Sequence, residues 1–182
     1  MEQRWRVTEP VETAAILGGL TIPWWIAGGW ALDLSLGFQT GPHADADVAI
    51  ARADAPLLAR HLAAWEIVVA HPAALEPWHG GSVPDEANAL WARPEPDGPW
   101  VLDVKLETTV GDDWVYRRDP RIRRPLAGIG AVVSGIPVLR PEICLLYAWG
   151  SDSARHRHAR AEGLKLLDAE ARAWLEEAVD LS

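Results

Sequence analysis

Apolar positions in this chain recur at helical spacing in some stretches and alternate in others. From Pro10 to Leu20, the spacing of Val11, Ala14, Ala15, Ile16 and Leu20 predicts an opening helix, ended by the glycines at 18 and 19. TIPWWIAGG then reads as a short buried strand that runs into a turn at Gly28 and Gly29. In WALDLSLG (30 to 37), Trp30, Leu34 and Gly37 share a stripe and Asp33 lies off it, so a helix should start directly after the two glycines and close at Gly37. ADADVAI (44 to 50) alternates in period two, which predicts a strand with Asp45 and Asp47 on one face and Ala46, Val48 and Ile50 on the other. Asp54 and Pro56 signal the start of a helix over APLLARHLAAW, and EIVVA (66 to 70) is the next strand, giving a strand, helix, strand unit.

Proline and glycine between His71 and Glu86 predict a long loop. NALWARP and WVLDVKLE flank EPDGP and read as a hairpin turning at Asp97 and Gly98. In its second arm Leu102, Val104 and Leu106 form one face, and Val101, Asp103, Lys105 and Glu107 the other. After YRRDPRIRRP, which holds five arginines, two short elements, AVVSG and IPVL, surround Gly135. PEICLLYAW and LKLLDAEARAWLEEAVDL have helical spacing, the second with Trp174 and Leu175 in its apolar stripe. No repeat or low-complexity tract interrupts the chain.

At 182 residues the chain suits one domain, or a core with a small appendage. Twenty-six acidic and seventeen basic residues leave a net charge of -9, which disfavours a nucleic-acid partner and would attract a cationic small molecule; the same charge also serves solubility alone. No stretch has the roughly 18 uninterrupted apolar residues of a membrane helix. MEQRWRVTEPVE carries charge and proline where a signal peptide needs an apolar run, so the expected location is cytoplasmic. The single cysteine, Cys144, sits in the apolar run ICLLY and reads as a buried structural thiol. Most of the eleven tryptophans should be core, and their number permits a homodimer interface without demanding one.

Two carboxylates at i and i+2 of a strand point the same way, about 7 Å apart along the chain. Burying both repels, so the arrangement is stable mainly if a divalent cation neutralises it. Asp103 joins the pair if its strand neighbours the 44 to 50 strand. Oxygen-only ligands suit magnesium, and two ions can serve phosphoryl chemistry. Gly28 and Gly29, between a strand and a helix, offer bare backbone amides to phosphate oxygens. Alone, an exposed D-x-D is commonly a solvated strand face and two glycines a turn; their succession in this order is the more specific signal. Arg117, Arg118, Arg121, Arg123 and Arg124 can grip phosphate or pair with surface acids. RHRHAR (155 to 160) scatters its side chains around a helix and reads as a solvated face rather than a metal cluster.

IAGGWALDLSLG followed by QTGPHADADVAI resembles the aminoglycoside 2''-nucleotidyltransferase type within the DNA polymerase beta-like nucleotidyltransferase superfamily. The likeness continues through PWVLDVKLE, DDWVYRRDPRIRRP and GIPVLRPEICLL. It implies an α/β (α+β) fold, a nucleotidyltransferase core with a mixed β-sheet flanked by helices over residues 1–125 and a small, mainly helical C-terminal part over 126–182. It implies that Asp45, Asp47 and Asp103 are the catalytic, metal-binding carboxylates, that Gly28 and Gly29 form the phosphate-binding turn, and that Asp103 is metal ligand, base toward the acceptor hydroxyl, or both. His43 is similar to a histidine common at that point of the type, which touches phosphate or orients Asp45; a hydrogen-bonded structural histidine is the alternative. The type often has arginine at Gly41, lysine at Ala148 or Trp149, and a Lys-Asp pair at Arg155 and His156, so the triphosphate's identity stays open.

The activity implied is transfer of a nucleoside monophosphate from a triphosphate, ATP first among them, to a hydroxyl of a small, cationic acceptor such as an aminoglycoside, with magnesium and release of pyrophosphate. The alternatives are a toxin-like nucleotidyltransferase acting on protein or RNA, a module that binds nucleotide without turnover, and a structural α/β domain with an acidic face.

Overall fold

The computed structural model describes residues 4–71, 74–151 and 153–182. The first helix, α1 (Pro10–Ile16), ends just before the glycines at 18 and 19, as expected, where Gly18 N–H bonds back to Ala15 O and closes a tight turn. The buried run after it is β1 (Trp24–Ile26), and α2 (Gly28–Leu36) starts on Gly28 itself, two residues before the expected Trp30. As its stripe predicts, α2 closes on Gly37 in the left-handed conformation.

The D-x-D strand, β2 (Asp47–Ala51), is shorter than its sequence pattern. Ala44 and Asp45 form a bend, so only Asp47 of the pair lies in the strand. Val48, Ala49 and Ile50 are all fully buried, a sign that both faces of β2 are covered beyond its first residue. A turn of 3-10 helix (Arg52–Asp54) leads into α3 (Ala55–His61), and β3 (Glu66–Ala70) follows. The expected long loop contains a strand, β4 (Leu75–Pro77), paired antiparallel with β3; Pro72 and Ala73 lie outside the described residues.

The predicted hairpin is present as β5 (Ala89–Arg93) and β6 (Leu102–Val110), with Trp91 opposite Asp103. β6 outlasts its partner and pairs further on with β7 (Asp113–Val115), which pairs with β8 (Arg123–Pro125). The two elements around Gly135 are a second hairpin, β9 (Gly130–Val133) and β10 (Ile136–Leu139). The sheet runs β4-β3-β5-β6-β2-β1-β10-β9 and is mixed: β2 lies parallel to β6, and β1 is antiparallel to β2 and parallel to β10. β2 and β3 are therefore not neighbours, since β5 and β6 stand between them. β9 and β10, beyond residue 125, complete the same sheet as the strands before it.

Helices follow the last strand: α4 (Pro141–Trp149), α5 (Ala154–Gly163) and α6 (Ala169–Leu181). The long run expected as one helix breaks, because Asp168 caps α6 by accepting Ala171 N–H at 2.8 Å. α4 touches α2, α5 and α6, while α2 also touches β2 and β10, so the helical part is bolted to the strands that carry the acids. Arg124 reaches from β8 to the buried Glu142 of α4 at 2.9 Å and stacks over Trp174 of α6 at 4.7 Å. All eleven tryptophans are buried or half-buried, as their size demands.

Trp25 fixes β1 against the second hairpin. A Cβ placed on Gly130 would lie 1.9 Å from the Trp25 ring nitrogen, so the indole occupies the space of the missing side chain. Gly130→Ala is expected to cost about 1–3 kcal/mol by overpacking. Urea unfolding should show a lower midpoint with an unchanged slope.

Candidate active site

The turn from β1 into α2 is shaped by Asp47. Gly28 has φ +60, and a Cβ there would lie 2.4 Å from Asp47 Oδ2. Conformation and space both require glycine, and the carboxylate lies against the bare backbone that opens α2. Ala27 N–H donates to Asp47 O at 2.9 Å, and no side chain caps α2, so its first-turn amides face the acids' surroundings uncapped. Cys144 is buried, as its sequence context predicts, and burial pushes its thiol well above the usual range.

The expected neighbour relation holds: in the parallel pairing of β2 with β6, Asp47 is registered directly with Asp103. Asp45 comes in from the bend before β2, and the three acids each offer an oxygen within 4.8 Å of the others. Asp103 is 6% exposed, and its Oδ1 has no hydrogen-bond partner among the described residues. Lys105, two residues along β6, bridges the group, with Nζ 2.7 Å from Asp103 Oδ2 and 3.1 Å from Asp47 Oδ1. Burial drives the Asp103 carboxyl up to about 6 against the pull of Lys105, with Asp47 and Asp45 adding to the rise. Burial pulls the Lys105 ammonium down, but Asp47 and Asp103 outweigh it and hold the lysine above its ordinary range.

His43 is built into a separate buried pair. Its Nε2 is 2.6 Å from Asp33 Oδ2, Thr40 donates to Asp33 Oδ1 at 2.7 Å, and the imidazole stacks on Trp30 at 3.9 Å. This cluster ties α2 to the segment that delivers Asp45. Asp33, which lies off the apolar stripe in sequence, is 4% exposed because this pairing satisfies it.

A cavity of about 450 Å³ opens beside the acids, bounded by Gly28 and Gly29, by Asp45, Asp47, Lys105 and Glu107, and by Arg117 and Tyr147 opposite. Glu107 is 3% exposed; its Oε2 accepts from Trp114 Nε1 and Tyr147 Oη, both at 2.6 Å. Burial raises its carboxyl, while Trp114, Tyr147 and the charge of Arg117 work against the rise. The arginine-rich segment divides. Arg117 and Arg118 line the cavity, and Arg118 donates to Tyr147 O at 3.1 Å, whereas Arg121 pairs with Asp119 and Arg124 with Glu142. His156 also reaches the cavity, its Nδ1 2.6 Å from Ser151 Oγ; the side chain of Arg155 lies outside the described residues. Lys105 and Glu107 escaped the sequence reading as site residues, although the alternation of β6 puts both on the face of Asp103. Tyr147 and Trp114 had no local signal: their roles come from tertiary packing against Glu107.

No curated protein matches the chain. The solution structure of the antibiotic-resistance factor ANT(2'')-Ia is similar with a TM-score of 0.60 and 19% identity, over 91% of this chain and 86% of that one. A crystal structure of ANT(2'')-Ia in complex with adenylyl-2''-tobramycin gives 0.55 and 17%, over 91% and 92%. The lincomycin-bound lincosamide antibiotic adenylyltransferase LnuA gives 0.58 and 15%, over 88% and 99%. At such identities the likeness is one of fold. Residues 11–110, which carry Gly28, Gly29 and all three clustered acids, match the aminoglycoside-2''-adenylyltransferase family over more than half of the chain. The chain belongs to the aminoglycoside-2''-adenylyltransferase family and is a nucleotidyltransferase of that fold.

Proposed function

We propose that this nucleotidyltransferase moves the adenylyl group of ATP onto a hydroxyl of a small acceptor, with an aminoglycoside antibiotic as the first choice, and releases pyrophosphate. The observation that carries this reading is the convergence of Asp45, Asp47 and Asp103 in a chain of that family. Magnesium fits the donor set: all three ligands are carboxylates, their oxygens lie within 4.8 Å, and Asp103 Oδ1 is buried with no partner of its own. When bound, magnesium offsets the charge of the triphosphate and makes the acceptor hydroxyl easier to deprotonate.

The chain's own residues supply the rest. Asp45, Asp47 and Asp103 hold the cation, and Asp103 is ligand, base toward the acceptor hydroxyl, or both. Gly28 and Gly29 bring the uncapped start of α2 to phosphate oxygens, with no side chain between backbone and ligand. The pair of His43 and Asp33 fixes the bend of Asp45 and so acts as a positioning device. No helix among the described residues is long and apolar enough to cross a membrane, and a cytoplasmic enzyme would draw on the ATP pool there.

Incubation with ATP, magnesium and tobramycin or lincomycin should yield an adenylylated acceptor and pyrophosphate, read by mass spectrometry. Asp45→Asn should lower kcat by about 10²–10³-fold or more; an unchanged rate would remove the acids from the mechanism. A second expectation concerns stability. Because its buried carboxyl is raised to about 6, ionised Asp103 costs the metal-free fold stability. A carboxyl whose folded value exceeds its unfolded one helps the fold below the unfolded value, and that help is lost as pH rises through about 6. At neutral pH with chelator, Asp103→Asn should therefore stabilise the protein by roughly 1–3 kcal/mol in urea unfolding, and with magnesium restored the variant should show no turnover.

A further inference from the structure

Among the described residues, Glu107 is the one cavity-lining carboxylate that the acidic cluster does not use. It follows Asp103 by four residues on β6, about 13 Å along a strand. It is 3% exposed, and both of its hydrogen bonds, from Trp114 Nε1 and Tyr147 Oη, fall on Oε2. Oε1 accepts none, yet it is not among the fully enclosed polar atoms without partners, so it opens onto the cavity that Glu107 lines. Two neutral donors hold the group, and no ion pair among the described residues includes it. Arg117 and Lys105 support its charge only from a distance, and Arg117 lies over the Tyr147 ring at 5.8 Å. A buried carboxylate fixed on one oxygen and open on the other is an oriented receptor for a cationic donor.

We propose that Glu107 Oε1 anchors a protonated amine of the acceptor at the end of the cavity away from Asp103, making it a specificity-determining residue of the transfer. The inference rests on the transferase reading, which supplies the need for an acceptor. It adds a requirement: the acceptor carries an ammonium group well separated from the hydroxyl that reacts, with roughly 13 Å between the two strand positions. Trp114 and Tyr147 are positioning residues, since their donors fix which oxygen faces the cavity. The net charge of -9 helps to draw such an acceptor in.

The test compares tobramycin with its fully N-acetylated form, which keeps the hydroxyls and loses the charges, by calorimetry on wild type, Glu107→Gln and Glu107→Asp. Glutamine can still accept from Trp114 and Tyr147 but turns a neutral amide to the cavity. The expected result is tobramycin binding at least about tenfold weaker in Glu107→Gln and partly restored in Glu107→Asp, with the N-acetylated compound bound equally weakly by all three. If Glu107→Gln does not fold, Glu107→Asp carries the test through a change of about threefold or more for tobramycin alone. Equal tobramycin binding by wild type and the variants, or none by wild type, overturns the anchor. So does a loss confined to ATP, which would put Glu107 at the nucleotide. The magnesium-dependent thermal shift of wild type by ATP, run in parallel, reports on the transferase reading separately: if it persists while the amine fails, only the anchor falls.

Discussion

Mutual repulsion among three carboxylates is the constraint around which this fold is arranged. Asp45, Asp47 and Asp103 bring oxygens within 4.8 Å of one another, and Asp103 does so almost wholly out of solvent. A sheet holds such a cluster together only if the backbone leaves no alternative. The parallel pairing of β2 with β6 sets Asp47 beside Asp103 by register, in the interior of the sheet where a one-residue slip of either strand would move its side chains to the opposite packed face. Gly28 gives up its side chain so that Asp47 can lie against the start of α2. Among the described residues, Lys105 is the positive charge that touches both Asp47 and Asp103, and it leaves Asp103 Oδ1 unanswered. The cluster is a store of electrostatic strain that a bound cation would relieve.

Around that cluster the cavity has two characters. Near the acids it is bounded by the uncapped backbone of Gly28 and Gly29, chemistry suited to phosphate and cation. Farther along β6 it is bounded by a carboxylate held by aromatic donors, with Arg117 and Arg118 laid against tyrosine rings. One strand face, Asp103, Lys105 and Glu107, connects the two ends. α4 lines the cavity through Tyr147 and is itself locked to β8 through Arg124 and Glu142, so the helical part takes part in forming the site.

Much of this was legible in the chain because period-two alternation is a strong local signal. It located β2, β5 and β6 and placed Asp103 on a polar face; the one thing it left open was adjacency, which the β2 to β6 register supplies. The two glycines before a helix were equally readable, though their purpose, making room for Asp47, is a tertiary fact. Boundaries failed where a side chain or a turn overrides periodicity. Asp168 cuts the last helix, and β4 forms inside a proline-rich stretch because β3 offers an edge to pair with. Asp33 lies off the apolar stripe, and its burial comes from a tertiary partner, the histidine ten residues on. The Arg117 to Arg124 segment could not be divided into cavity and surface by sequence, since β8 and the chain reversal before it decide which guanidinium faces where.

The proposed transfer depends on a cation and a triphosphate meeting at the three acids. The most direct measurement is the thermal shift produced by each nucleoside triphosphate, with and without magnesium, on wild type and on the double change Asp45→Asn and Asp47→Asn. Stabilisation of wild type alone, by a triphosphate and only when magnesium is present, is the predicted result. No shift with any triphosphate, or the same shift in both proteins, would contradict the site.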